Sequence, residues 1–276
     1  MKWRFFAIIF LLSQGCIAQN ALLQLQVSHQ RDTARAFSGI ENFNVQRLET
    51  QLRLPLLAVS SFAGTWFGGF EFSENRMVLS GSVTDTRRFY RFALPFEFHM
   101  KRSGRWQHVL RYEPAYYSDE SIIDQTRYVN EFAWFAKYKA NRKAQWVLGV
   151  RQDTRFGIDA MYPVFGLESR PNSQMYHHWV FPDLYSEVVL NKRQSVQVFA
   201  KPKGGNWRYL QADGGVASFG MTDWNIGAAW IQNLKRPLQF KLEVGMNMLG
   251  EGSVAGNDGD LANGYFFLLS LHTRIL

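Results

Sequence analysis

Cysteine is almost absent from this 276-residue chain, and long apolar runs are absent after its first twenty residues. Cys16 is the single cysteine, so no disulfide can form within the chain. Beyond residue 20, no stretch approaches the roughly 18 consecutive apolar residues that a membrane-spanning helix requires. The sequence therefore excludes both a disulfide-stabilised domain and a helical membrane protein.

Long runs of a single charge are also absent. The 31 basic and 23 acidic residues give a net charge of +8, but they are dispersed along the chain. Dispersed charge of this kind does not predict a nucleic-acid partner. Aromatic residues make up 16% of the chain and glycine occurs 22 times, which is high for an ordinary soluble enzyme.

The first eighteen residues have the three parts of a secretory signal peptide. Lys2 and Arg4 supply a positive start, residues 5–12 form an apolar run, and Ala18 is a small residue before the cleavage position. The apolar run is shorter than the about 20 residues that cross a bilayer. We therefore expect residues 1–18 to be removed on export.

Cys16 allows a second interpretation, as the lipid-modified first residue of a lipoprotein. Lipoprotein signals usually carry an aliphatic residue three positions before the cysteine, and that position here is Ser13. Cleavage after Ala18 is therefore the favoured interpretation. It leaves residues 19–276 as one domain, because no linker interrupts the pattern that follows.

Apolar and polar residues alternate with a period of two in segments of about ten residues. In residues 90–100 the even positions hold the apolar side chains Tyr90, Phe92, Leu94, Phe96, Phe98 and Met100. Residues 238–248 repeat the pattern. Such segments are typical of strands with one face in lipid. Pro95 cannot donate to a β-ladder, so a bulge or a local break is expected there.

Fourteen such strands are predicted. Their ranges are 21–29, 43–55, 61–73, 87–100, 105–114, 127–138, 144–151, 162–169, 174–181, 184–190, 195–201, 223–232, 238–248 and 264–274. Short turns rich in Gly, Pro, Asn and basic residues mostly alternate with long polar segments at 30–41, 74–86, 114–126, 152–161, 202–222 and 249–263. Prolines crowd residues 160–202, and merging two strands there would give the alternative of 12.

These patterns predict an all-β fold, an antiparallel up-and-down transmembrane β-barrel of about 14 strands. Short periplasmic turns and long outer loops are the asymmetry of barrels in the bacterial outer membrane, which is the expected location. A soluble periplasmic β-sandwich would explain the signal peptide and the alternation, but not the lipid-like outer faces. Expected partners are outer-membrane lipid and the barrel-assembly machinery.

Charged residues of the predicted strands are assigned to the lumen, because basic side chains facing lipid cost about 2–4 kcal/mol each near the midplane. The predicted lumen-facing set is Arg53, Glu71, Arg91, Glu97, Arg111, Glu113, Arg127, Glu131, Lys137, Arg151, Glu168, Glu187, Lys201, Lys241, Glu243 and Arg274. Basic and acidic residues are mixed in this set. Such a mixture either fills the barrel with ion pairs or lines a weakly selective channel.

No catalytic or metal site stands out in the sequence. None of the six histidines is followed two residues later by serine, the arrangement expected of lipid-active barrel enzymes. Residues 256–260 lack the closing glutamate of a calcium loop. His177 and His178 would point to opposite faces of a strand. We predict no enzyme activity, no metal and no cofactor.

The stretch 162–208 resembles a family of bacterial outer-membrane β-barrels known only as a domain of unknown function. The residues that carry the resemblance are Tyr162-Pro163, Gly166, Arg170-Pro171-Asn172, Phe181-Pro182, Leu190-Asn191-Lys192-Arg193, Gly205 and Trp207-Arg208. The resemblance implies a barrel, and it implies no catalytic residue and no substrate.

The expected function is a passive outer-membrane channel or uptake protein for small solutes. About 14 strands leave room for a lumen, whereas about eight are filled by side chains. The alternative is a structural or surface-interaction barrel that binds a partner through its long loops, especially 202–222 and 249–263. A lipid-active outer-membrane enzyme is a third hypothesis, ranked below these two.

Overall fold

A computed structural model describes residues 23–39, 43–80, 84–119, 127–210, 216–234, 238–254 and 256–275. The predicted signal peptide, residues 1–18, lies outside the described residues, and Cys16 with it. The part of the chain that the structure describes contains no helix long and apolar enough to cross a membrane.

The described residues form seventeen antiparallel strand segments. These are β1 (Leu23–Asp32), β2 (Arg35–Phe37), β3 (Phe43–Ser60), β4 (Gly64–Ser80), β5 (Thr84–Ala93), β6 (Phe96–Met100), β7 (Trp106–Asp119), β8 (Arg127–Lys139), β9 (Ala144–Asp153), β10 (Ala160–Ser169), β11 (Met175–Phe181), β12 (Asp183–Asn191), β13 (Gln194–Leu210), β14 (Val216–Asn233), β15 (Leu238–Val254), β16 (Asn257–Leu261) and β17 (Gly264–Ile275).

These segments build a closed antiparallel β-barrel of 14 strands. Three barrel strands consist of two segments each, namely β1 with β2, β5 with β6, and β16 with β17. The first strand pairs with the last, with Val27 opposite Leu271, which closes the barrel. The predicted fold and the count of 14 are confirmed.

The proline-rich region contains separate strands, so the alternative of 12 is wrong. Residues 160–202 hold β10, β11, β12 and the start of β13. Pro171 and Pro182 lie in the connections, where a missing N–H removes no ladder hydrogen bond. Pro182 alone separates β11 from β12.

The break expected at Pro95 is present, between β5 and β6. Leu94 N donates to Pro114 O at 3.1 Å, and Gly69 N donates to Pro95 O at 2.9 Å. The alternation continues across the break, because Phe92 and Phe96 are both exposed on the outer face. One proline therefore interrupts the strand without exchanging its two faces.

The connections define two ends of the barrel. The turn end carries short turns at 61–63, 101–105, 140–143, 170–174 and 192–193, and both Leu23 and Ile275 lie there. We call the opposite end the loop end. Large apolar side chains are exposed on the outer surface between these ends, among them Trp66, Phe92, Trp134, Leu148, Phe165, Trp179 and Val244.

The long outer loops predicted at the loop end are wrong for the most part. Within 202–222, β13 continues to Leu210 and β14 begins at Val216; within 249–263, β15 continues to Val254 and β16 begins at Asn257. Pairing satisfies backbone N–H and C=O groups that an irregular segment would leave to solvent. These predicted loops are therefore extensions of the wall.

The wall is uneven in height as a result. Strands β3, β4, β13, β14 and β15 have 17 or 18 residues each and form the tall wall. Strands β9, β10, β11 and β12 have 7 to 10 residues each and form the low wall. The two walls surround different parts of the lumen.

Candidate functional site

A cavity of about 200 Å³ follows the inner face of the low wall. Lys137 and Glu168 line it near the turn end, and Arg155 and Asp183 line it near the loop end. Its remaining walls are partly apolar, with Phe135, Val147, Val164, Val180 and Phe181 among them. We call it the low-wall cavity, since residues of β9, β10 and β11 line it along much of their length.

Arg155 holds the segment between β9 and β10 against the loop end of this cavity. Its Nη1 donates to both carboxylate oxygens of Asp183 at 2.8 Å, and its Nε donates to Asp153 Oδ2 at 2.9 Å. Burial alone would lower the pKa of Arg155, but the charges of Asp183 and Asp153 raise it, so the guanidinium stays charged. Arg155 thus fastens the segment to the wall through charge-assisted hydrogen bonds.

Glu168 gathers three partners at the turn end of the same cavity. Lys137 Nζ donates to Glu168 Oε1 at 3.0 Å, and His178 Nδ1 lies 3.1 Å from the same oxygen. Gln145 Nε2 donates to the other carboxylate oxygen. The low-wall cavity therefore has a hydrogen-bonded polar group at each end.

A second cavity, of about 270 Å³, lies among β1, β3, β13, β15 and β17, and we call it the polar cavity. Lys201 and Lys241 each donate to Glu243 at 2.8 Å. Lys203 Nζ lies 2.5 Å from Glu49 Oε2 and donates to Gln30 Oε1 at 2.7 Å. These groups form the donors and acceptors that a small polar solute requires.

Next to the polar cavity, four charged side chains form a cluster with almost no solvent exposure. Arg35 donates to both oxygens of Asp223, at 2.5 and 2.9 Å, and Arg47 Nη2 lies 2.8 Å from Asp32 Oδ2. The exposed fraction of each side chain is 1% or less. Because Asp223 belongs to β14 and Arg47 to β3, this cluster joins strands that are not neighbours in the wall.

An apolar side chain of β5 meets those of the tall-wall strands β13 and β14 across the lumen, nearer the loop end. The ring of Phe89 on β5 stacks on that of Phe219 on β14, with centroids 5.7 Å apart. The Trp207 ring on β13 lies 5.5 Å from Phe89 and 5.9 Å from Phe219. This contact between strands from opposite parts of the barrel closes the lumen along the tall wall.

The loop-end parts of β13 and β14 lean inward to make this contact. We call residues 203–210 and 216–222 the inward hairpin. The segment after β9 packs on the back of the hairpin, where Asn206 Nδ2 donates to Gly157 O at 3.0 Å and Thr222 Oγ1 to Arg155 O at 3.2 Å. Arg155 therefore belongs to the segment that supports the hairpin.

The predicted lumen-facing residues are distributed over several groups. Several of those on β3 to β8 form one network, in which Arg91 Nη1 donates to Glu71 Oε1 at 2.6 Å and Tyr117 OH donates to Glu131 Oε1 at 2.8 Å. The network also includes Arg53, Arg111 and Glu113.

The other predicted residues lie as follows: Glu97 beside His99, Arg151 beside Asp153, Lys137 and Glu168 in the low-wall cavity, Lys201, Lys241 and Glu243 in the polar cavity, and Glu187 half-buried on β12. The side chains of Arg127 and Arg274 lie outside the described residues. The role of the whole set as the lining of a passage stays a prediction.

Sequence reasoning missed the most buried charges. Asp32 and Arg35 fell in the predicted loop 30–41. Arg155, which is less buried, fell in the predicted loop 152–161. Arg47 was detectable, because it lies in a predicted strand an even number of residues from Arg53 and therefore on the same face. The alternation of β3 extends back from Arg53 to Arg47.

One histidine–serine pair is assembled across strands on the outer face of the low wall. His177 Nδ1 lies 2.9 Å from Ser186 Oγ, and Trp179 Nε1 donates to the same oxygen at 3.0 Å. A catalytic base is usually oriented by a third group, and no contact between His177 and a carboxylate is found among the described residues. Across those same residues no three His, Cys, Asp or Glu side chains are grouped as metal ligands.

No family model and no curated protein matches the chain. An outer membrane channel from Pseudomonas putida F1 is 10% identical with a TM-score of 0.48, over 94% of this chain and 97% of that one. The translocator domain of the autotransporter NalP from Neisseria meningitidis is 8% identical with a TM-score of 0.44, over 99% and 95%. Outer membrane phospholipase A from Escherichia coli is 12% identical with a TM-score of 0.37, over 96% of each chain.

The closed 14-stranded wall with an apolar outer face is the fold of outer-membrane β-barrels. The similar structures belong to a channel, a translocator and a phospholipase, so the likeness does not select a function. The resemblance of residues 162–208 to an uncharacterised barrel family stays a prediction.

Proposed function

We propose that the protein is a gated passive channel of the bacterial outer membrane that admits small polar solutes. The low-wall cavity carries this proposal, because it extends from Glu168 near the turn end to Asp183 near the loop end. Its volume of about 200 Å³ corresponds to roughly six water molecules at about 30 Å³ each. Since Phe89 and Phe219 close the lumen along the tall wall, the passage follows the low wall.

The outer surface supports a location in the outer membrane. Exposed Trp, Phe, Leu and Val side chains cover the wall, and backbone groups in a closed barrel need no water. Short turns in such barrels face the periplasm, so in this proposal the loop end faces away from the cell. Export by the predicted signal peptide, insertion by the barrel-assembly machinery and contact with outer-membrane lipid belong to the same proposal.

Arg155 is the gate residue in this proposal. It lines the cavity at the loop end and is fastened to Asp183 and Asp153. Its side chain is 22% exposed, so part of it is accessible to solvent. Movement of the segment that carries Arg155 would open the cavity and remove support from the inward hairpin at the same time.

Single-channel recording in planar bilayers tests the proposal. We expect the purified chain to give small conductance steps, and the Arg155→Ala variant to give steps that are larger or more frequent. The Arg142→Ala variant, which changes an exposed arginine in a turn, is the matched control and should behave like the unchanged chain. Liposome swelling with small sugars of increasing size then sets the solute limit.

The absence of both conductance and swelling for the unchanged chain and for Arg155→Ala would overturn the channel. The second candidate, a structural barrel without a passage, would then be favoured by the sealed tall wall. A version of it that binds partners through long loops is weakened, because residues 202–222 and 249–263 are largely paired strands.

A further inference from the structure

Basic side chains on the outward face of the barrel are gathered in one place. Arg31 on β1, Arg76 on β4 and Arg88 on β5 are exposed on that face. Within the described strands, the other outward-facing basic residue is Arg208, near the loop end of β13. Basic residues on a lipid-facing wall are unfavourable unless they lie near an interface, so their position on the wall is informative.

The strand register brings the three arginines together. Arg76 is directly opposite Arg88, and Leu48 is opposite both Arg31 and Arg76 on its two sides. Neighbouring strands lie about 4.8 Å apart, so the three side chains fall within three strand spacings. We call Arg31, Arg76 and Arg88 the arginine row.

The row lies at the border of the apolar band. Along β4, Trp66 marks the band near the turn end, and Arg76 follows ten residues later. Ten residues extend about 33 Å along a strand, which at a tilt of about 40° gives about 25 Å along the membrane normal. That height equals the usual thickness of the apolar band of such barrels. Arg76 therefore lies at the level of lipid headgroups on the loop-end side.

The residues on either side of the arginine row support its position at the level of the lipid headgroups. The next outward-facing row toward the turn end is polar, with His29, Thr50, Glu74 and Tyr90, and the one after it is apolar, with Val27, Leu52, Phe72 and Phe92. The arginine row holds three basic residues, and the neighbouring polar row holds one acidic residue, Glu74, whose Oε1 lies 4.0 Å from Arg88 Nε. Toward the loop end the exposed outward face continues with Asn44 and Thr86.

We infer that the arginine row binds the phosphate groups of a phosphorylated glycolipid in the outer leaflet. This inference rests on the proposed outer-membrane location. Guanidinium groups bind phosphate through paired, charge-assisted hydrogen bonds, and three of them within three strand spacings match a headgroup with more than one phosphate. Asn44 and Thr86 beyond the row offer hydrogen bonds to sugar rings, which an anionic phospholipid lacks.

Lipid retention by the full chain tests this inference. The protein is reconstituted into phosphatidylcholine vesicles that contain bisphosphorylated lipid A, dephosphorylated lipid A or phosphatidylglycerol. The amounts of the two anionic lipids are chosen so that their vesicles carry the same negative charge. After detergent extraction and washing, retained lipid is counted by mass spectrometry. We expect the unchanged chain to retain the bisphosphorylated lipid. The amount retained by R31Q/R76Q/R88Q should be lower by a factor of at least about ten.

The matched control is R102Q/R105Q/R142Q, which removes three exposed arginines from the turns. It should retain the lipid as the unchanged chain does, and folding of each variant is checked by its shift on heating in SDS gels. Equal retention by the row variant, or equal retention of dephosphorylated lipid A, would overturn the inference. Equal retention of phosphatidylglycerol would contradict a preference for the glycolipid and would show that the arginine row binds anionic lipids in general.

Failure of the proposed function has a different signature. A chain that does not insert into any of the vesicles contradicts the outer-membrane location itself. A chain that inserts and retains the glycolipid but gives no conductance contradicts only the channel. A chain that inserts without preference for phosphate contradicts only the arginine row.

Discussion

The tall wall and the low wall enclose charged side chains in different surroundings. Along the tall wall, Asp223 and Arg35 pair with an exposed fraction of 1% or less. Along the low wall, Asp183 pairs with Arg155 while 37% of its side chain is exposed. Both are arginine–aspartate pairs, but the strands around them differ in length.

This difference shows what the added wall height does to the interior. Where strands are long, they reach across the lumen and bury Phe89 against Phe219. Where strands end early, the Arg155–Asp183 pair stays partly exposed and a cavity lies along the wall. A buried charge that loses its partner keeps its desolvation cost without compensation, so removal of one partner strongly destabilises the fold. An exposed ion pair contributes little to stability, so its loss has a small effect. The two walls should therefore respond very differently to the loss of a single carboxylate.

The largest effect is expected for Asp223→Ala. The change leaves Arg35 and Arg47 without their shared carboxylate in a dry site, which should lower the free energy of unfolding by about 3–5 kcal/mol. Urea unfolding of the barrel in lipid measures this loss. Glu251→Ala, at an exposed position on β15, is the control and should change stability little. A loss below about 1 kcal/mol for Asp223→Ala would show that the tall wall is hydrated.

A large effect is also expected for Phe89→Ala, which removes the ring between Trp207 and Phe219. Deleting a buried phenylalanine costs about 3–5 kcal/mol, and here it should also open the sealed part of the lumen. Phe92→Ala changes a lipid-facing ring on the same strand and is the control. Conductance that rises for Phe89→Ala and not for Phe92→Ala would identify the aromatic contact as the seal. Unchanged conductance in both would place the seal elsewhere.

A small effect is expected for Asp183→Asn on the low wall. The amide keeps one acceptor for Arg155 and the site is partly solvated, so stability should fall by less than about 1 kcal/mol. The same unfolding assay gives the comparison with Asp223→Ala directly. If the two losses were equal, the contrast between the walls would have to be abandoned.

Ser186→Ala, on the outer face of the low wall, is expected to cause no change in phospholipid hydrolysis. His177 and Trp179 contact its hydroxyl, but nothing in the described contacts of His177 supplies a carboxylate. Incubation of the chain and the variant with labelled phospholipid should give no release of fatty acid from either. Release by the unchanged chain that disappears in Ser186→Ala would revive the lipid-active enzyme.

Sequence alone was sufficient for the strand order and for which residues share a face. The alternation in 90–100 and 238–248 placed the outward residues, and the turns fixed the number of strands. Period two is a local property, because each residue faces opposite to its neighbour whatever happens elsewhere. The break at Pro95 was predictable for a similar reason, because the missing N–H of proline is also a local property.

Sequence alone could not predict the heights of the two walls or the aromatic contact that closes the lumen. Residues 203–210 and 216–222 are rich in glycine and polar groups, which suggested a loop, but pairing between them holds them in a ladder. The contact of Phe89 with Trp207 joins residues that are distant in sequence and lie on strands far apart in the wall. No periodic pattern within either strand contains that information, so the inward hairpin could be found only in three dimensions.

Closure of the barrel by Val27 and Leu271 has a consequence for synthesis of the chain. The first barrel strand must keep an unpaired edge until the last one has been made, because its partner lies at the far end of the sequence. An unpaired strand edge is a template for association with other chains, and contacts of such long range form slowly. Protection of that edge during biogenesis is therefore a requirement that this topology imposes on the cell.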